Sequence, residues 1–142
     1  MTLTVLFDVD GTLVCYPSVG RRARARALAE EWGIPRALDG VLFAGATDTR
    51  LLGQVASGRP RDAVWERYLR HLRSDLAALP DPVPLPGVTA LLDRLAAAGT
   101  RLGLLTGNVA DGARLKLLRS GLWGRFDPSI SAFAEDGEPR TE

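Results

Sequence analysis

One short apolar run closed by an acidic turn, "LTVLFDVDG" at residues 3–11, does most to restrict what this chain folds into. Its β-branched and aromatic residues favour a buried strand over 3–9, and Asp-Gly stops it. The second half continues in the same grammar. "VTALLDRLAAAG" (88–99) reads as a helix, "RLGLLTG" (101–107) as a strand and "VADGARLKLLRSGLW" (109–123) as a helix. "RFDPSISAF" (125–133) is expected as a third strand, with Pro128 close to its start. Strands alternating with helices give a parallel α/β sheet.

Between the first strand and this second half the pattern is helical. "GRRARARALAEEW" (20–32) has strong helix formers and is closed by Gly33 and Pro35. "ATDTRLLGQVASG" (46–58) reads as a shorter helix capped by Thr47 or Asp48. "RPRDAVWERYLRHLRSDLAAL" (59–79) is amphipathic, with Val64, Tyr68, Leu69, Leu72, Leu76 and Leu79 at helical spacing. The proline-rich "PDPVPLPG" (80–87) reads as a linker or hinge. The expected organisation is a Rossmann-like α/β core from 1–14 and 86–142, interrupted by a helical insertion over 15–85.

Composition narrows the class of function. With 46% apolar and 25% charged residues and a net charge of +1, the chain is globular and carries no strong field toward nucleic acid or an anionic membrane. The arginines at 21, 22, 24 and 26 alternate with alanine and precede Glu30 and Glu31, so they read as a solvated helix. No nucleic-acid partner and no membrane are expected. One cysteine and one histidine exclude the usual zinc sets and leave little room for a Ser-His-Asp triad. Cys15 is expected as a small apolar filler, His71 on an exposed helix face. The absence of an internal disulfide, a leader pattern and a spanning run makes a cytoplasmic location the expectation.

In an open parallel sheet, sites form at the carboxyl ends of the strands. Asp8 and Asp10 lie at the end of the first strand and Thr106 at the end of the second, so the sheet makes neighbours of distant motifs. Beside a magnesium ion, Asp8 is an oxygen nucleophile toward phosphorus. Asp10 is placed to protonate a leaving alkoxide and then deprotonate water. Gly11 permits the sharp turn, and Thr12 ties it to the backbone. Thr106, with the backbone of Gly107 and Asn108, is expected to hold phosphoryl oxygens at the start of the next helix. Lys116 is the only lysine among eighteen basic residues. It reads either as a cation for the transferring group or as a solvated helix residue. Thr47 and Asp48 read first as a helix cap and second as substrate contacts.

These motifs carry a resemblance. "FDVDGTL" matches the first motif of the haloacid dehalogenase (HAD) superfamily, D-x-D-G-T after an apolar strand. "LLTGN" resembles its second motif, and "LPGVTALLDRLAAAG" the helix that leads into it. "FAGATDTRLL" is similar to the G-x-T-D segment in the helical caps of phosphoglycolate-phosphatase-like members. The resemblance implies Asp8 as nucleophile and magnesium ligand, and Asp10 as acid/base with its carbonyl on the metal. It further implies Thr106 as a phosphate-binding hydroxyl and Lys116 as the match to the third motif. The implied activity is magnesium-dependent hydrolysis of a small phosphorylated metabolite through an aspartyl-phosphate, with residues 15–85 as a cap. A dehalogenase is disfavoured, since those members lack the second aspartate.

The fourth motif of the family, an acidic pair such as G-D-x-x-x-D after another strand, has no match. Glu135 and Asp136 correspond to a loop after the third strand instead. The expectation is therefore a chain truncated before that motif, with the C-terminal part of the core missing. Its first strand would then be an exposed edge open to self-association. The alternatives are a catalytically incomplete protein without turnover and a sugar-phosphate mutase of the same superfamily.

Overall fold

The computed structural model describes residues 1–137 apart from 44, 56 and 81. Strands β1 (Thr4–Phe7) and β2 (Arg101–Leu104) pair in parallel, Thr4 beside Arg101 and Phe7 beside Leu104. Among the described residues five α-helices accompany them: α1 (Val19–Trp32), α2 (Asp48–Val55), α3 (Asp62–Ala78), α4 (Val88–Ala97) and α5 (Ala110–Arg119). The fold is therefore α/β, helix-rich, with a small parallel sheet. The expected helices at 46–58 and 59–79 are shorter than their sequence patterns, and residue 56 lies outside the described residues. So do residue 81 of the 80–87 linker and residues 138–142.

The apolar spacing of α3 accounts for its packing. Val64, Tyr68, Leu72 and Leu76 are buried, on the face that meets α1 and α5. From α1, Ala23, Ala27 and Leu28 belong to the same apolar cluster, and Leu117 joins it from α5. The cluster also includes Leu102 and Leu104 of β2 and Val9 just after β1, so one core joins the helical segment to the sheet. Arg119 strengthens that junction by donating to the Leu76 and Leu79 carbonyls at 3.0 and 2.8 Å. Among the described residues, no helix is long and apolar enough to cross a membrane.

The expected third strand is not a strand. It meets the β2 side through the Asp127 amide on the Leu102 carbonyl at 2.8 Å and a parallel bridge between Leu105 and Ala132, and Pro128–Ile130 is a 3-10 turn. Asp127 decides this locally: its carboxylate accepts the Ser129 amide at 2.9 Å and the Ser129 hydroxyl at 2.6 Å. Pro128 has no amide to offer a ladder. Ser131 substitutes for a strand partner, its hydroxyl accepting the Leu104 amide at 2.9 Å and donating to the Asp127 carbonyl at 2.8 Å. The segment also lies very close to β2. A Cβ on Gly103 would stand 3.1 Å from the Ile130 carbonyl oxygen and 2.7 Å from a Leu6 methyl.

Two smaller expectations need correction. Cys15 is exposed, not a core filler. His71 is half-buried between helices, with Nε2 2.8 Å from Glu30 of α1. β1 does present an apolar edge, with Leu3 and Leu6 exposed.

The Ser129 bonds and Arg101 at 2.9 Å hold the Asp127 carboxyl at a pKa of about 2. Its folded value is below the ordinary one, so its contribution to stability is complete above about pH 4 and disappears as pH falls toward 2. The stability difference between the protein and Asp127→Asn, followed by urea unfolding, is expected to shrink over that interval and to be constant above it.

Candidate active site

The turn after β1 sets the position of both aspartates. The buried Val9 carbonyl accepts the amides of Thr12, Leu13 and Val14 at 3.0–3.3 Å, and Gly11 adopts a φ of 77°. Neither Gly11 nor Thr12 lines the adjoining pocket; they shape the turn below it. The Thr12 tie to the backbone runs through its amide. Asp8 is exposed, and one carboxylate oxygen accepts the Val9 amide at 2.8 Å. Asp10 turns toward α5.

Lys116 is buried, which removes the solvated reading. Its Nζ donates to both Asp10 carboxylate oxygens and to Asn108 Oδ1, each at 2.8 Å. From the second turn of α5 the side chain leans back toward the helix N-terminus, which brings it within reach of the β1 turn. Its ammonium passes close to α1, where a Cβ on Gly20 would stand at ordinary contact distance, 3.7 Å from Nζ. Tyr16, whose hydroxyl donates to the Lys116 carbonyl at 3.1 Å, fixes the backbone beneath, and burial raises its pKa.

Asn108 links the two strand ends. Its Nδ2 donates to Asp10 Oδ2 and to Thr106 Oγ1, each at 2.8 Å, and Thr106 Oγ1 also accepts the Asn108 amide at 3.2 Å. Thr106, Asn108, Lys116 and Asp10 thus form one connected polar network, three of them buried. The backbone at the start of α5 departs from the expectation of an open anion cradle. The Asn108 amide goes to Thr106, the Val109 amide to Asp48 Oδ2 at 3.0 Å, and the Ala110 amide to Glu135 at 2.9 Å. Protein carboxylates cap a helix that sequence reading left free for phosphate.

Thr47 caps α2, its hydroxyl accepting the Arg50 amide at 3.2 Å. Asp48 is buried and fully engaged. Its amide donates to the Gly107 carbonyl at 2.7 Å, one carboxylate oxygen takes Val109, and the other pairs with Arg24. Gly107 permits this approach, since a Cβ there would lie 3.0 Å from the Ala46 carbonyl oxygen. Arg24 is the principal residue that sequence reading missed. Inside the supposedly solvated arginine run it is only 3% exposed, its guanidinium 4.8 Å from the Tyr68 ring centroid and 5.6 Å from that of Phe43. The available signal was its spacing: Arg24 follows Gly20 by four and precedes Ala27 by three, on the buried face of α1.

Asp8, Asp10, Thr106 and Lys116 line a pocket of about 680 Å³, together with Arg21, Arg24 and Phe43. With that geometry established, comparison with known proteins is informative. The model of haloacid dehalogenase-like hydrolases matches residues 2–142. The chain belongs to this family. A phosphoglycolate phosphatase of Cereibacter sphaeroides is 35% identical over 134 residues, covering 89% of this chain and 61% of that protein. The chain thus spans about three-fifths of the length of the curated relatives it matches. CbbY from Rhodobacter sphaeroides, crystallised with phosphate, shares the fold at a TM-score of 0.73 and 18% identity, over 98% of this chain and 66% of that one. A HAD hydrolase from Entamoeba histolytica does so at 0.60 and 17%, over 94% and 61%.

In this HAD-like chain the donors suit a hard cation. Both Asp10 carboxylate oxygens are engaged, and one Asp8 oxygen takes the Val9 amide, which leaves the second Asp8 carboxylate oxygen as an acidic donor at the pocket. Magnesium commonly combines one or two protein oxygens with phosphate and water. Among the described residues there is no cluster of three or more His, Cys, Asp or Glu side chains around a possible metal position.

The Arg24–Asp48 pair yields a direct test, because both side chains are less than a tenth exposed. Arg24→Met is expected to cost about 3–5 kcal/mol by leaving a buried carboxylate uncompensated. Adding Asp48→Leu should recover part of that loss, less about 1–3 kcal/mol for the orphaned Val109 amide. Urea denaturation of the three proteins checks the order.

Proposed function

We propose that this HAD-like chain carries the reacting groups of a phosphomonoester hydrolase acting on a small phosphorylated metabolite. The observation that carries the reading is the network joining Asp10, Lys116, Asn108 and Thr106 beside the exposed Asp8 carboxylate. An Asp8 carboxylate oxygen attacks phosphorus, the bond from phosphorus to the ester oxygen breaks, and Asp10, which takes up a proton from the substrate monoanion as Lys116 turns to the phosphoryl oxygens, delivers that proton to the departing alkoxide. Asp10 then takes a proton from water, whose oxygen attacks phosphorus and releases inorganic phosphate and the Asp8 carboxylate. Lys116 balances charge on the phosphoryl oxygens, and the Thr106 hydroxyl donates to one of them.

Substrate binding has a defined electrostatic consequence. Phosphoryl oxygens arriving at Lys116 compete with Asp10 for its three N–H donors, and Asp10 is released toward the leaving group as they succeed. Magnesium bound by the Asp8 carboxylate and the Asp10 carbonyl would supply a Lewis acid for the phosphoryl oxygens. Residues 15–85 act as the cap and residues 1–14 and 86–142 as the core, with the pocket lined from both. The name borne by the curated relatives makes phosphoglycolate the first substrate to assay.

Phosphate release from p-nitrophenyl phosphate and from phosphoglycolate tests this reading. Turnover is expected to require magnesium, to disappear in Asp8→Asn, and to fall about 10²–10³-fold in kcat for Lys116→Met. A folded chain that releases no phosphate from either ester with magnesium present overturns it.

A further inference from the structure

The charged groups around the pocket balance in number but are not all paired with one another among the described residues. It contains three cations, Arg21, Arg24 and Lys116, and three carboxylates, Asp8, Asp10 and Asp48. Lys116 is committed to Asp10 and Arg24 to Asp48. Asp8 and Arg21 remain, and neither forms an ion pair among the described residues. Asp8 has a use in the reaction proposed above. Arg21 has none.

Arg21 is nevertheless held in place. Its Nη2 donates to the Leu38 carbonyl at 2.6 Å, and its guanidinium lies 4.7 Å from the Phe43 ring centroid. A carbonyl and an aromatic ring orient the planar group without neutralising it, and most of its five N–H donors are left for another oxygen. The surroundings favour an anion in a second way. Ser18, Gly20 and Arg21 at the N-terminus of α1 all line the pocket, and the first turn of this fourteen-residue helix has no acidic residue. The positive end of the helix is therefore not offset locally. Ser18 sits there at a φ of 62°, the only positive φ outside glycine among the described residues. Backbone strain of this kind tends to be retained at binding sites.

We propose that Arg21 binds a second anionic group, carried on the leaving portion of the substrate, and so selects doubly anionic phosphoesters over those with neutral alcohols. The proposal rests on the phosphomonoesterase reading, because it takes Asp8 and Lys116 as the position of the phosphoryl group. Arg21 is a specificity residue in it and takes no part in bond breaking. A carboxylate and a second phosphate share the required chemistry, planar or tetrahedral oxygens able to receive a forked donor.

Calorimetric titration of the 142-residue chain carrying Asp8→Asn, which silences turnover, separates the two claims. The probes are methyl phosphate, 2-phosphoglycolate and 1,3-propanediol bisphosphate, each titrated into Asp8→Asn alone and with Arg21→Gln or Arg21→Lys. Expected is at least about tenfold tighter binding of one or both doubly anionic probes than of methyl phosphate, the worth of a charged hydrogen bond. That ratio should collapse toward one in Arg21→Gln and be partly retained in Arg21→Lys, whose circular dichroism serves as the folding control. Which probe gains, the carboxylate or the bisphosphate, identifies the group. A ratio near one before Arg21 is changed, or a ratio that Arg21→Gln leaves intact, overturns the proposal. Selective binding by a chain whose Asp8 form shows no turnover would instead retain Arg21 and sink the hydrolase reading.

Discussion

The site depends on a buried carboxylate that performs no chemistry in it. Asp48 receives a guanidinium from α1 and an amide from the start of α5, while its own amide reaches the Gly107 carbonyl. Three segments that would otherwise meet only through apolar contacts are thereby fixed in angle and distance. Burying an ion pair is seldom favourable in itself, because desolvation offsets most of the attraction. Its return here is geometric: the loop carrying Thr106 and Asn108 has one position relative to the helices, and Lys116 has one path to Asp10.

Asn108 plays a comparable part at shorter range. Its amide nitrogen gives to Asp10 and Thr106 and its carbonyl oxygen takes from Lys116, so the orientation of the side chain is set by its partners. Glu135 closes the remaining side by capping Ala110. At the start of α5 the amides of Asn108, Val109 and Ala110 are consequently satisfied by the protein. In the proposed reaction, phosphoryl oxygens would therefore be met chiefly by the side chains of Lys116 and Thr106.

Much of this was legible in the sequence. The strand-ending "FDVDG" and "LLTG" placed Asp8, Asp10 and Thr106 together, because period and turn chemistry are local properties. The α3 core face was legible for the same reason. The third strand was misread because "ISAF" has strand composition, whereas Asp127, Pro128 and Ser131 redirect its hydrogen bonds one residue at a time. Arg24 was hidden by its neighbours: four arginines in six residues look equivalent until tertiary packing selects one for burial. The role of Asp48 could not be read, since its partners are remote in the chain, and that of Asn108 only in part, since Asp10 lies 98 residues away.

That remoteness has a bearing on how the molecule is assembled. Asp10 meets Lys116 across 106 residues and Asn108 across 98, and Asp48 meets Val109 across 61. Contacts so distant along the chain require large loops to close before they return any free energy, whereas each helix forms from neighbours three and four apart. At eight to ten residues, α2, α4 and α5 are too short to be stable alone, whereas α1 and α3, at fourteen and seventeen, are long enough to hold some helix before those loops close. Part of the helical content of this chain is thus tied to the same docking that assembles the site.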